Sequence, residues 1–174
     1  MPTVKSEMDT SDLRVEETLR WFSRIYLGGI PSIITDDSAF LSFVCILTAT
    51  EALAGYRYGN GSARERFKKF VMSYFPDPYA QYADDLWQFR NKIIHAFSTG
   101  RFALTHHHSE LHFRRVSDGA VILNAEDFYS ALLSAAQRYF AEVRATPELQ
   151  RTLVERLESA GGGSITVAPI KLEW

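Results

Sequence analysis

The chain has 174 residues, of which 46% are hydrophobic and 23% are charged. This length favours one domain with a buried core, and the three Trp, eight Tyr and twelve Phe exclude a disordered chain. No stretch approaches the roughly 18 to 20 uninterrupted apolar residues of a membrane span, and residues 1–12 lack the apolar segment of a signal peptide. We therefore expect a cytoplasmic protein that does not enter a membrane.

The net charge of the chain is −2, but its basic and acidic residues are distributed unevenly along the sequence. Residues 1–56 carry four basic and eight acidic side chains, residues 57–115 carry ten and five, and residues 116–174 carry five and eight. A basic middle in an acidic protein favours a local anion site over a general nucleic-acid coat. Uneven scatter of solvated charges explains the same numbers, so both interpretations stand.

Three helices are predicted in the first half of the chain. Apolar spacing predicts one over residues 11–27, ended by a Gly-Gly pair. A second, over residues 36–56 with two aspartates as N-caps, is apolar nearly all round and should be the buried central helix. It holds the only cysteine, Cys45, for which we expect a buried thiol without catalytic reactivity. Ser62 should cap a third helix over residues 63–74.

In the second half of the chain, the spacing of apolar residues changes from helical to strand-like and then back to helical. Apolar residues three or four apart predict a helix over residues 79–97. Short β-prone runs follow in residues 101–123, where Asp-Gly at 118–119 indicates a hairpin. Helical spacing then resumes over residues 125–143 and again over residues 147–159.

These elements predict a mainly α fold in one domain, residues 1–160, built as an up-and-down helical bundle with a small inserted β-hairpin at about 101–123. Residues 161–174 should be a Gly-rich linker and a tail. The apolar residues of that tail could add an edge strand to the hairpin.

A candidate chemical centre lies on the fourth predicted helix, at Arg90, Asn91 and His95. Arginine supplies a permanent forked charge for a phosphate, and histidine can exchange a proton near neutral pH. Asn91 and His95 are four residues apart on one helical face, so Asn91 could orient the imidazole. Arg90 and His95 lie about 140° apart around a helix, so a site that uses both favours a cleft shared by two copies of the helix.

An arginine followed five residues later by a histidine is not a specific pattern by itself, since Arg101 and His106 repeat it. Alternatively, Arg90 and Asn91 bond nearby backbone groups and His95 is a structural histidine. Glu51 also has two interpretations: it could pair with Arg90 inside the bundle, or it could be exposed at a helix end.

Residues 86–95 resemble the signature of the HEPN superfamily, an Arg-polar-x-x-x-His motif on a late helix of an α-helical bundle. Residues 43–56 resemble the buried helix ahead of that motif helix. The resemblance implies a HEPN-like fold, with Arg90 and His95 as the catalytic pair and Asn91 as the polar position after the arginine. Many members are metal-independent endoribonucleases that dimerise with their motif helices facing each other, and others are inactive binding or scaffold domains.

Two features depart from the family pattern. Phe97 stands where a subset of members carries a tyrosine that is modified by a partner enzyme, so this mode of regulation is excluded. The hairpin at 101–123 is an insertion that the simplest bundles lack. The resemblance still implies RNA cleavage in which His95 moves the proton and Arg90 stabilises the charged phosphorus centre, leaving a 2′,3′-cyclic phosphate and a 5′-hydroxyl.

The basic middle of the chain supplies candidate contacts to nucleic acid. These candidates are Arg57, Arg64, Lys68, Lys92 and Arg101. A solvated helix face is the alternative interpretation of the basic residues in the third helix.

Four histidines within seven residues, at 106–108 and 112, form a second cluster. Imidazoles at this spacing could bind Zn²⁺ or Ni²⁺, but no Cys or regularly spaced carboxylate completes a standard site. We therefore expect no metal, and a polar edge that could grip nucleic acid is the preferred interpretation.

Two functions follow from these patterns. The first is a HEPN-type ribonuclease that needs no cofactor, works as a homodimer on RNA, and serves as a toxin or defence effector, with an antitoxin or other protein as a further partner. The second is a catalytically inactive helical module that binds nucleotide, RNA or a protein.

Overall fold

The computed structural model describes residues 5–161, and their side chains from residue 11 onwards. The predicted tail strand lies outside these residues. The described part is mainly helical, as expected, with six α-helices and two short strands. In chain order they are α1 (Lys5–Phe22), α2 (Ala39–Tyr58), α3 (Ala63–Tyr74), α4 (Ala83–Ala96), β1 (Phe102–Thr105), β2 (Val121–Asn124), α5 (Ala125–Ala145) and α6 (Pro147–Ser159).

Helix α2 lies at the centre of the bundle and contacts α3, α4, α5 and α6. Its side chains Phe43, Ile46 and Leu53 are almost completely buried, and each such burial contributes about 1.5–3 kcal/mol. Within residues 5–161, α2 is also the one helix long and apolar enough to span a membrane, with a mean hydropathy of 1.6. Half of that apolar window is buried against the other helices, as in a core helix.

Helix ends follow the predicted signals only in part. Ser62 caps α3 by accepting a hydrogen bond from the Glu65 backbone N–H. The two aspartates before α2 do not cap it, because the helix begins after Ser38 and Asp36 binds a distant histidine instead. Helix α1 continues as a π-helical turn over Ser23–Leu27, and its glycine pair keeps right-handed backbone angles.

The predicted hairpin across Asp118-Gly119 is confirmed, but the first β-prone run lies outside it and pairs in parallel. β1 and β2 pair in parallel, from Phe102 opposite Val121 to Thr105 opposite Asn124. The chain reverses at 118–119, where Gly119 has a φ of +86°. Residues 113–116, which precede this turn, lie antiparallel against the other edge of β2. The Asp-Gly turn pairs β2 with its immediate neighbour, so β1 can reach β2 only from the opposite edge.

His112 connects this sheet to the turn before α4. Its Nδ1 accepts a hydrogen bond from the Asn124 backbone N–H at 3.1 Å. Nδ1 is therefore unprotonated, and the proton of the neutral ring lies on Nε2, 2.9 Å from the Tyr79 hydroxyl. Burial lowers the pKa of His112, because the surrounding protein disfavours the charged ring.

This arrangement predicts a pH-dependent stability. Below pH 6.5, the ordinary value for histidine, the unfolded chain binds a proton at His112 that the folded chain resists. The contribution is therefore complete above pH 6.5 and is lost as the pH falls towards the lower folded pKa. In His112→Asn the amide oxygen can still accept the Asn124 N–H, but no proton is taken up. We expect the free energy of unfolding to fall more steeply from pH 7 to 5 in the unsubstituted protein, by at most about 1.4 kcal/mol per pH unit.

Urea unfolding of both proteins at several pH values measures this difference. The other four histidines are present in both proteins, so the difference isolates His112. Parallel pH profiles would contradict the assignment.

Candidate functional site

Arg90 is held in one position by contacts on three sides. Its Nη2 lies 2.5 Å from Glu51 Oε2 across the α2–α4 contact, and its Nη1 donates to Asn91 Oδ1 at 3.0 Å. The guanidinium carbon lies 5.6 Å from the centre of the Trp87 ring. The Arg90 and Glu51 side chains are only 22% and 24% exposed. Of the two interpretations of Glu51, pairing with Arg90 is the one observed.

His95 lies in the last turn of α4 and is exposed. Within residues 11–161 its imidazole has no hydrogen-bond partner, and Asn91 uses its oxygen to accept from Arg90. No hydrogen bond joins Asn91 to His95 within residues 11–161, so the structure does not show Asn91 orienting the imidazole. Arg90 is directed towards α2 while His95 is exposed, so one chain does not bring the two side chains together.

Exposed apolar side chains lie on both sides of His95. Ile94 is 47% exposed and Phe97 is 80% exposed, and the Phe97 ring lies 4.8 Å from the Phe40 ring of α2. The next residue of α2, Leu41, is 53% exposed. We call Phe40, Leu41, Ile94 and Phe97 the α4-end patch. A group of exposed apolar side chains is typical of a site of protein interaction.

Three of the predicted nucleic-acid contacts are paired with carboxylates of α4. Arg64 and Lys68 share Asp84, at 2.7 and 3.6 Å. Arg101 lies 2.9 Å from Asp85. These pairs reduce the charge that α3 and the loop after α4 can offer to a phosphate, and they connect both elements to the start of α4.

The remaining two predicted contacts differ from each other. Arg57 donates to the Tyr74 hydroxyl at 2.6 Å and lies 3.2 Å from Glu142 of α5. Lys92 is exposed, on the same helix as Arg90 and His95, and within residues 11–161 it has no ionic partner. Of the five predicted nucleic-acid contacts, Lys92 is therefore the nearest in sequence to Arg90 and His95. No carboxylate within residues 11–161 neutralises its charge.

The histidine run does not converge on one point. Each of its three members contacts a different carboxylate: His106 with Asp36 at 2.8 Å, His107 with Glu126 at 2.5 Å, and His108 with Glu110 at 3.1 Å. No group of three or more His, Cys, Asp or Glu side chains in the described part of the chain could hold a metal ion. The run instead connects the loop after β1 to the start of α5 and to the segment before α2.

Sequence patterns missed a cavity of about 450 Å³ beside the Arg90–Glu51 pair. It lies between α1, α2 and α6. The small residues Ala52, Gly55 and Ala160 line part of it, and their lack of bulk leaves the space open. Small residues on facing helices were the available signal, but nothing in the sequence distinguishes them from close helix packing.

The Arg90–Glu51 pair should contribute measurably to stability. In Glu51→Gln the carbonyl oxygen can still accept a hydrogen bond, but the charge that compensates a mostly buried guanidinium is lost. We expect a loss of about 1–3 kcal/mol in the free energy of unfolding. The matched control is Glu65→Gln, where the side chain is 70% exposed and lies 3.9 Å from Lys68, and where we expect a change within about 0.5 kcal/mol. Equal unfolding midpoints for the two variants would contradict a structural role for the pair.

Comparisons with known proteins do not place the chain in a family. No family model matches it, and neither does any curated protein or any solved structure.

Proposed function

We propose that this protein is a metal-independent endoribonuclease of HEPN type that acts as a homodimer, in the role of a toxin or defence effector. The observation that carries the proposal is the motif helix α4, which combines an exposed histidine near its end with an arginine fixed by a carboxylate. A guanidinium held in place can stabilise developing charge on a phosphate without first being ordered. An exposed imidazole can reach a substrate proton.

In this mechanism the RNA 2′-oxygen attacks the adjacent phosphorus and the bond from phosphorus to the 5′-oxygen breaks. His95 takes the proton of the 2′-hydroxyl, and the 5′-oxygen leaves with a proton returned by an imidazolium. Arg90 stabilises the additional negative charge on the phosphorane-like transition state. The products are a 2′,3′-cyclic phosphate and a 5′-hydroxyl, and no bond change requires a metal ion.

The active unit is proposed to be a dimer because one chain separates the two groups. Arg90 contacts α2 and His95 is exposed, consistent with the angle of about 140° between positions five residues apart on a helix. A second copy packed on the α4-end patch would bring its His95 towards the first copy's Arg90. The exposed rings and aliphatic chains of that patch supply the apolar surface that such an interface needs.

Cleavage of single-stranded RNA in the presence of EDTA is the expected activity. His95→Ala should lower the rate at least about 100-fold, the usual contribution of a general acid or base. The control is His108→Ala, since the exposed His108 ring contacts Glu110 within residues 11–161, and its bond to Asn124 Oδ1 comes from the backbone N–H, which the substitution keeps. Cleavage by His95→Ala at the unsubstituted rate would rule out the assignment.

The dimer should depend on the α4-end patch. Phe97→Asp places a charge where an apolar contact is expected, so light scattering should show a shift from dimer to monomer. Met72→Asp is the matched control, because Met72 is 60% exposed on α3 and lies outside the patch. An unsubstituted protein that is monomeric at about 50 μM, a concentration at which a micromolar dimer is mostly assembled, would contradict the proposed interface.

A second candidate is a catalytically inactive module that binds nucleotide, RNA or a protein partner. The observation that favours it is the close pairing of Arg90 with Glu51, which already neutralises the charge that catalysis would use. The same RNA assay separates the candidates, because an inactive module would leave RNA intact while retaining its fold.

A further inference from the structure

The cavity beside the Arg90–Glu51 pair is not needed for RNA cleavage at the surface of α4. Its volume of about 450 Å³ is within the range of about 300–1,000 Å³ in which proteins bind small molecules. α1 and the turn after it, α2 and α6 supply most of its lining, and α4 contributes Arg90. Its lining therefore comes from a single chain, and Arg90 is the residue that it shares with the proposed ribonuclease site.

Part of the cavity lining is aromatic. Its lining includes Trp21, Phe22, Tyr26 and Tyr56, and the rings of Phe22 and Tyr26 lie 5.0 Å apart. Burial raises the pKa values of Tyr26 and Tyr56, so both phenols keep their protons at neutral pH. Aromatic faces with two hydroxyl donors are suited to a flat apolar body that carries acceptors at its edge.

The lining also carries positive charge, and Arg156 lies near Tyr56. Arg90 and Arg156 line the cavity together with Glu51, and Arg66, which is not part of the lining, lies near Arg156 and Glu51. Burial and the positive charge of Arg156 lower the pKa of Arg66, an effect that Glu51 opposes. The lining thus holds two guanidinium groups and one carboxylate, which leaves one positive charge without a counterion among the lining residues.

Several of these donors have no partner. Within residues 11–161 the Nε atoms of Arg90 and Arg66 are buried without a hydrogen bond. Arg156 uses Nη1 to donate to Asn60 Oδ1 at 3.2 Å. Its Nε and Nη2 make no hydrogen bond within residues 11–161, so Arg156 is the lining residue with donors left for an anion.

We infer that the cavity is a binding site for a small aryl anion, a flat aromatic molecule with a carboxylate, sulfonate or phosphate group. The aromatic wall would hold the ring, and Arg90 and Arg156 would hold the anionic group. This inference does not rest on ribonuclease activity, because the site is built within one chain and does not use His95.

Fluorescence titration with 8-anilinonaphthalene-1-sulfonate tests the site, since this probe is an aryl anion that becomes bright in apolar surroundings. We expect one probe per chain. N-phenyl-1-naphthylamine, which has the same rings without the sulfonate, should bind about tenfold more weakly because it lacks the charge-assisted hydrogen bonds. Arg156→Gln should weaken the anionic probe by a similar factor and leave the neutral probe unchanged.

Two leucine variants, one inside the cavity and one outside it, locate the binding site. Ala52→Leu adds bulk inside the cavity and should abolish binding of both probes, whereas Ala141→Leu adds the same bulk on the exposed face of α5 and should not. Equal binding to these two variants, or equal affinity for the charged and neutral probes, would overturn the inference. If Ala52→Leu does not fold, Arg156→Gln decides it. His95→Ala should bind the probe normally, so loss of RNA cleavage and loss of probe binding are distinguishable.

Discussion

Glu51 places a carboxylate on a helix that is otherwise mostly apolar, and Arg90 of α4 neutralises it across the helix contact. A charge in this position would be unfavourable without its partner. The pair holds Arg90 towards α2, while the buried side chains Leu86, Phe89 and Ile93 pack α4 on the bundle and leave His95 exposed. Both members of the pair line the adjacent cavity.

The local features of the fold could be predicted from the sequence because short-range chemistry determines them. Ser62 caps α3 through the residue three positions later, and the apolar run in α2 is buried as its composition requires. The parallel pairing of β1 with β2 could not be predicted. The Asp-Gly signal at 118–119 correctly indicates a reversal, but it says nothing about which strand occupies the far edge of β2.

Hydrogen bonds and ion pairs between residues that are far apart in the sequence could not be predicted either. Asp36 is a suitable N-cap by residue type, yet it binds His106, 70 positions away. His106, His107 and His108 look like metal ligands in a linear sequence, but each has its own carboxylate partner. The candidate site was better determined, since helical spacing alone indicated that Arg90 and His95 diverge. The partner of Arg90 and the adjacent cavity depend on three other helices, and no spacing rule within α4 reveals them.

The central claim is that Arg90 of one copy acts with His95 of another. Mixing two inactive variants, Arg90→Lys and His95→Ala, tests this claim most directly. A heterodimer would contain one site in which both essential side chains are intact, so the mixture should regain cleavage of RNA in EDTA that neither variant shows alone. A mixture that forms heterodimers by native mass spectrometry and yet remains inactive would contradict the account.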